Sequence, residues 1–178
     1  MSQIEGILRS KIKPKEKQVM LVAAVVRNEI TADELMAYFA AAPDVDKGTL
    51  ADVMKQVSAA DAHILAPHIE TLLGYINYRA PRVKWGVPEA IGNMAKAYPQ
   101  DAARAVPYLL KNTTGDKENT TVIRWCAAYA LAEIARHHPG SRGELLPAID
   151  KILAGEKNNG VRNVYLKAMK YINKDKPA

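Results

Sequence analysis

The chain has 178 residues with a net charge of +6, and it is 48% apolar and 25% charged. This composition is typical of a folded globular protein and excludes disordered and collagen-like classes. The single cysteine, Cys126, excludes an intrachain disulfide and any multi-cysteine metal site, and the scarcity of aromatic residues favours helix over strand.

The N-terminal residues predict a basic arm followed by a capping helix. Residues 1–13 are expected to form a short helix or a loose arm, and residues 15–26 a helix. The longest apolar run, Val19–Val26, has eight residues, far fewer than the ~20 that span a bilayer, so no membrane partner is expected. No signal cleavage site follows this run, and the expected location is the cytoplasm.

The remainder of the chain predicts pairs of helices, because apolar residues recur at three-to-four spacing between turn-forming segments. In chain order the segments are helices at 32–39 and 50–57 around a loop at 43–48, then 59–73, a break at 77–81, 83–97, 102–110, a loop at 112–121, and helices at 122–136, 144–153 and 161–172. The turn Asn158–Gly160 separates the last two helices.

A period of about 40 residues relates these pairs. Trp85 and Trp125 lie 40 residues apart, and so do Pro99 and Pro139. A fixed period of this length is typical of helical-pair repeats, in which each unit buries its apolar face against its neighbours. The predicted units are 30–58, 59–98, 99–138 and 139–174, within a repeat region 30–178 that forms one continuous domain with the N-terminal arm and capping helix, residues 1–29.

At the level of residues, Leu-Leu-Pro followed by a loop and the segment Val122–Ala135 (VIRWCAAYALAEIA) resembles a HEAT repeat, and so does Glu156–Arg162 (EKNNGVR). The resemblance covers residues 59–174 and extends in a more degenerate form over 30–58. It implies an all-α fold, a right-handed α–α superhelix of about four helical pairs plus the capping helix.

The same resemblance implies a structural ladder between repeats. In HEAT repeats an acidic loop residue precedes an arginine of the second helix by six positions. Glu118 with Arg124 and Glu156 with Arg162 fit that spacing. Arg124 and Arg162 are therefore interpreted as structural rather than phosphate-binding. Lys84 has Tyr78 at the acidic position, so no ladder is expected in its unit.

A helical wheel places a stripe of aromatic and basic side chains opposite the apolar face of the second helices. The stripe consists of Trp85, Lys96, Trp125, Tyr129, Arg136 and Lys174. Two interpretations stay open. In one, the tryptophans pack between repeats, with Gly92 and Ala132 allowing close approach. In the other, the stripe is a binding surface, for which Trp, Tyr and Arg are the enriched residue types.

No pattern in the chain predicts catalysis. The histidines lack metal-ligand spacing, Cys126 is expected to be a buried core thiol, and no phosphate-cradling loop or nucleophile motif occurs in the sequence. We therefore expect no enzymatic activity, no metal, no cofactor and no small-molecule substrate.

Three functions remain as hypotheses. The first is a non-catalytic interaction module that binds an acidic protein partner on a concave face formed by the second helices. The second is nucleic-acid binding, since HEAT-like DNA alkylation-repair proteins have basic concave faces. The third is an accessory factor similar to the HEAT-like proteins that act on phycobiliproteins.

Overall fold

The computed structural model describes residues 1–115 and 117–174, and it is all-helical across them, as the sequence predicts. Residue 116, in the predicted loop 112–121, and residues 175–178, at the end of the predicted repeat region, lie outside the described residues. The helices are α1 Gln3–Arg9, α2 Pro14–Val26, α3 Ala32–Ala41, α4 Asp44–Ala60, α5 Ile69–Tyr75, α6 Pro81–Met94, α7 Pro99–Ala103, α8 Val106–Leu109, α9 Thr121–His137, α10 Arg142–Gly155 and α11 Asn159–Lys174.

The longer helices pack against one another in chain order. We call α2, α4, α6, α9 and α11 the B helices, and the helical segments that precede each of them the A segments. Each B helix packs against the next B helix along the chain, and the A segments α3, α5, α8 and α10 pack against B helices as well. The predicted second helices at 83–97, 122–136 and 161–172 correspond to α6, α9 and α11.

Local signals explain several helix starts. Thr31 and Glu34 form a capping box at the beginning of α3, in which each side chain binds the main-chain amide of the other residue. Proline occupies the first turn of α2, α6 and α7, where no amide donor is needed. The Thr120 hydroxyl accepts a hydrogen bond from the Ile123 amide and caps α9.

The predicted loop at 43–48 is wrong, because α4 already begins at Asp44. Asp44 and Asp46 lie in its first turn, where negative charge interacts favourably with the helix N-terminus. Gly48 lowers the helix propensity of this stretch, but it is needed for packing: a Cβ there would lie 3.0 Å from Cβ of Arg82.

Two predicted A helices are broken in the structure. The segment predicted as one helix at 59–73 contains the end of α4, two short 3-10 turns and α5, which begins only at Ile69. Pro67 lies in the second of these turns. The segment 102–110 is divided between α7 and α8, and Pro107 lies near the start of α8. Proline lacks an amide donor, which favours such short pieces.

Two glycines of α6 allow close approach to both neighbouring B helices. A Cβ at Gly86 would lie 2.5 Å from main-chain atoms of Ala51 in α4. A Cβ at Gly92 would lie 2.8 Å from the ring of Tyr129 in α9. The register of α4, α6 and α9 is therefore fixed by the absence of side chains at these two positions.

Lys47, in the first turns of α4, is buried with 5% of its surface exposed. Its Nζ donates hydrogen bonds to the carbonyl oxygens of Ala40, at 3.0 Å, and Ala42, at 2.5 Å. Three aromatic rings surround the ammonium with centroids 5.8–6.0 Å away, those of Phe39, Tyr75 and Tyr78. Lys47 thus connects the end of α3, the start of α4 and the α5 region.

No helix within the described ranges has both the length and the apolar character required to cross a bilayer.

Candidate functional site

The candidate site is the side of the B helices opposite their apolar core positions. We call it the B-helix face. All its members on α4, α6, α9 and α11 are half-buried or exposed, and they are Asp52, Lys55, Trp85, Glu89, Trp125, Tyr129, Glu133, Arg136, Lys167, Lys170, Tyr171 and Lys174. Five residues of the predicted stripe belong to this face, and the sixth, Lys96, is exposed just beyond the end of α6.

Asp52 is the polar centre where α2, α4 and α6 meet. Arg82 donates from Nη2 to Oδ2 of Asp52 at 2.6 Å, and Gln18 donates from Nε2 to the same oxygen at 3.3 Å. The Lys55 ammonium lies 4.0 Å from Oδ1. Each of these partners neutralises or solvates a largely buried carboxylate, so this part of the face is a structural ion cluster.

Glu89 joins three helices in the next part of the face. Its Oε1 accepts hydrogen bonds from Lys55 of α4 and from the Cys126 thiol of α9, both at 3.4 Å. Burial, followed by the nearby Glu89 carboxylate, raises the pKa of the Cys126 thiol well above its usual range. The thiol is therefore protonated and unreactive at neutral pH, as expected for a core cysteine.

Tyr129 is held against α6 rather than displayed freely. Its hydroxyl donates to Oδ1 of Asn93 at 2.6 Å. The Asn93 amide in turn donates to the Lys55 carbonyl at 3.0 Å and to the Ser58 hydroxyl at 3.1 Å. Burial, with smaller contributions from the Glu133 and Glu89 carboxylates, raises the pKa of Tyr129. One interpretation of the sequence is that Gly92 allows a tryptophan to pack closely between repeats. In the structure the Tyr129 ring occupies the space beside Gly92.

Trp125 is the exposed aromatic side chain of the predicted stripe, with 36% of its surface accessible. Its ring lies parallel to that of Tyr129, at an interplanar angle of 4° and a centroid distance of 5.9 Å. One face of the Tyr129–Trp125 pair is thus supported by α6. The supported pair presents a rigid indole to solvent, and a rigid indole loses little conformational entropy when it binds.

Arg136 and Tyr171 extend the aromatic and cationic surface from α9 to α11. The guanidinium carbon lies 5.6 Å from the Tyr171 ring centroid, and Nη1 donates to Glu133 at 2.8 Å. Tyr171 itself is 45% exposed. Arg136 is therefore held in place by a carboxylate and a ring, and it is partly neutralised.

The lysines of α11 supply the free positive charge of the face. Lys167, Lys170 and Lys174 are all exposed, and they form no ion pair with any residue that the structure describes. The other cations of this face, Lys55 of α4 and Arg136 of α9, have carboxylate partners. The electrostatic potential of the face is consequently most positive at its α11 end.

Trp85 occupies the equivalent position in α6 but is only half exposed. Its indole Nε1 is buried without a hydrogen-bond partner among the described residues. It also takes part in none of the ring–ring contacts found there. The two tryptophans of the repeat pattern thus have different environments.

The ladder residues lie beside the loops that connect A and B helices. Arg124 donates from Nε and Nη2 to the two carboxylate oxygens of Glu156, at 2.7 and 3.3 Å, and so connects two consecutive helical pairs. The Glu156 side chain is 4% exposed. The hydrogen bond from Arg124 lowers the pKa of Glu156. The six-residue spacing in the sequence predicts Arg162 as the partner of the Glu156 carboxylate, whereas in the structure this carboxylate pairs with Arg124.

Arg162 binds main-chain oxygens. Its Nη1 donates to the carbonyl of Leu153 and, at 3.0 Å, to the carbonyl of Glu156. This arginine anchors the end of α10 to the start of α11. Glu118 is exposed in the loop before α9, and its predicted pairing with Arg124 stays a prediction.

Asp52, Lys55, Glu89, Asn93 and Tyr171 were missed in the sequence analysis. Only their polar or aromatic character within the B helices could have indicated them. The first four of these residues make contacts between helices with partners that are 30–38 residues away in the chain. A helical wheel describes one helix at a time and does not reveal such contacts.

The described residues contain no group of three or more His, Cys, Asp or Glu side chains arranged to hold a metal ion. Comparisons of the chain with protein-family models, with curated proteins and with solved structures find no match.

Proposed function

We propose that this protein is a non-catalytic HEAT-like interaction module that binds an acidic protein partner through the B-helix face. In this proposal the helical pairs form a right-handed solenoid and the B helices line its concave side. The sequential packing of α2, α4, α6, α9 and α11 supports this arrangement, because repeat proteins stack each unit only on its neighbours.

The observation that carries the proposal is the Trp125–Tyr129 stack, which belongs to the same B-helix face as lysines that have no ion-pair partner among the described residues. Trp, Tyr and Arg dominate the energetics of protein interfaces, and Trp125 is exposed on a rigid support. Lys167 and Lys170 on α11 favour a partner whose matching surface is acidic, because complementary charge accelerates association and selects the partner. The single buried thiol, Cys126, suits the cytoplasm, to which the proposal assigns the protein.

Site-specific photocrosslinking tests the proposal in the native cell. A photoreactive residue at position 163 of α11, beside this surface, is expected to crosslink an acidic protein. The same residue at position 108, in the A segments, serves as the control. Affinity for the crosslinked partner is then measured with purified protein. We expect Trp125→Ala to lower it by about tenfold or more.

Tyr108→Ala is the matched control for Trp125→Ala, because Tyr108 is an exposed aromatic residue of α8 with 41% of its surface accessible. It should leave the affinity unchanged. Both variants should fold, as checked by far-UV circular dichroism. Trp125→Ala loses the stack on Tyr129 and should melt at a lower temperature than Tyr108→Ala. Wild-type affinity of Trp125→Ala would contradict the proposal.

Single-stranded nucleic acid is the second candidate. The exposed Trp125 indole and the lysines of α11 on the same face favour it, since bases stack on aromatic rings. Binding of an oligothymidine is measured by anisotropy across a salt series. An affinity that falls steeply with salt, with a log–log slope of about −0.7 per phosphate neutralised, and that also falls in Trp125→Ala, would assign the face to nucleic acid instead of protein.

A further inference from the structure

A cavity of about 680 Å³ opens beside the A–B loops, and no residue of the B-helix face lines it. Its walls come from the segment after α8, the first turns of α9, the second half of α10 and the loop that follows α10. Two consecutive helical pairs therefore contribute to it. Small-molecule sites in proteins have volumes of about 300–1,000 Å³, and this cavity lies within that range.

The interior of the cavity is mainly apolar. Leu110, Ala148 and Ile152 line it, and all three are only partly buried by the protein itself. Each of these side chains leaves apolar surface that a ligand could cover. Removing such surface from water is favourable, so the cavity favours a ligand with an apolar body.

The charged residues of the wall are unequally balanced. Arg124 and Glu156 neutralise each other, because two guanidinium nitrogens bind the two carboxylate oxygens. Lys151 and Lys157 are exposed at the cavity and have no ion-pair partner among the described residues. The net charge of the described lining residues is therefore positive, and it comes from these two lysines.

We propose that this cavity binds a small organic anion whose body is apolar, such as an aromatic or aliphatic carboxylate. The apolar body lies on Leu110, Ala148 and Ile152, and the anionic group lies between Lys151 and Lys157. An apolar cavity with a few convergent charged groups is the general form of a ligand site. The bound molecule would contact both helical pairs and thereby stabilise their junction.

The proposal is tested with 8-anilinonaphthalene-1-sulfonate, whose fluorescence rises when its apolar rings leave water. The full chain is titrated, and then the double variant Lys151→Glu/Lys157→Glu. Reversing two charges at the cavity should weaken binding of the dye about tenfold or more. The matched control is Lys11→Glu/Arg27→Glu, which makes the same change in net charge at exposed residues outside the cavity and the B-helix face, and it should change the affinity less than about twofold.

Shape and charge of the ligand are tested separately. Ile152→Trp fills the cavity and should also weaken dye binding about tenfold, with folding checked by circular dichroism. If this variant does not fold, the two double variants decide.

The anion 2-naphthoate should displace the dye, whereas 2-naphthylmethylammonium, with the same rings and a positive charge, should not. Met20→Glu is a control for dye binding at a second apolar surface, on α2, where Met20 is exposed. This variant should bind the dye with wild-type affinity.

Three results would overturn the proposal. The first is equal weakening by the two double variants, which would indicate nonspecific attraction by net charge. The second is wild-type binding in a folded Ile152→Trp variant. The third is equal displacement by the naphthyl anion and the naphthyl cation. Failure of the B-helix face to bind a protein leaves these measurements unaffected, because no residue of that face lines the cavity.

Discussion

Gly86→Ala tests whether the B helices depend on close main-chain approach. A Cβ at position 86 would lie 2.5 Å from the carbonyl carbon and oxygen of Ala51 and 2.8 Å from its Cβ. Ordinary contacts of this type begin at 3.4 Å. To accept the methyl group, α6 must move away from α4 by about 1 Å, because the atoms it meets are main-chain atoms within a packed helix.

The expected magnitude is the difference of two opposing effects. Overpacking costs about 1–3 kcal/mol, and contact with main-chain atoms places this site in the upper half of that range. Alanine in a helix is favoured over glycine by about 1 kcal/mol. We therefore expect the free energy of unfolding to fall by about 1–2 kcal/mol, and Tm by about 2–8 °C for a chain of this size.

The assay is thermal and urea unfolding followed by far-UV circular dichroism, with Gly6→Ala as the matched control. Gly6 lies within α1, and a Cβ there would meet no atom within 4 Å. Alanine at position 6 should raise stability by about 0.5–1 kcal/mol. If Gly86→Ala melts at or above wild type while Gly6→Ala behaves as expected, the close approach of α4 and α6 is refuted.

Two further predictions concern buried charges. Arg124→Ala should lower the free energy of unfolding by about 2–4 kcal/mol, because it leaves the Glu156 carboxylate buried without its cation. Lys84→Ala should change this free energy by less than about 0.5 kcal/mol. Equal, small effects of the two variants in urea melts would contradict the role of Arg124. The pKa of Glu156 is lowered from 4.5 in the folded state. The contribution of Glu156 to folding stability is therefore present above pH 4.5 and is lost as the pH falls through the folded-state pKa. This loss of stability should be smaller in Arg124→Ala. Lys47→Met should lower stability by about 1–3 kcal/mol through loss of its carbonyl hydrogen bonds and ring contacts, and wild-type Tm in this variant would show that the cluster contributes nothing.

The B helices were predictable because their signal is local. In α9 the buried residues Ile123, Ala127, Ala130 and Ile134 follow the three-to-four spacing that any helix with one buried side requires. Repetition of this pattern strengthens the prediction. The A segments were less predictable, because proline at 67 and 107 divides an apolar pattern that by itself indicates longer helices.

The contacts across the B-helix face could not be predicted from the sequence. A helical wheel gives the angle between a side chain and the core of its own helix, and it contains nothing about the neighbouring helix. Glu89 and Cys126 are in contact only because α6 and α9 have one particular register. That register depends on Gly92, whose role becomes visible only when the Tyr129 ring is found against it.

Tyr129 shows why this register matters for the proposed interaction surface. The repeat pattern does not require a tyrosine there, since Glu89 is its equivalent in α6, so the pattern alone leaves Tyr129 available for binding. In the structure Tyr129 fills the space above Gly92, donates to Asn93, and supports the exposed ring of Trp125. Removing the Tyr129 ring would therefore both loosen the packing of α6 against α9 and displace Trp125. Affinity lost in such a variant says little about direct contact with a partner, and Trp125 is the residue at which binding and packing separate.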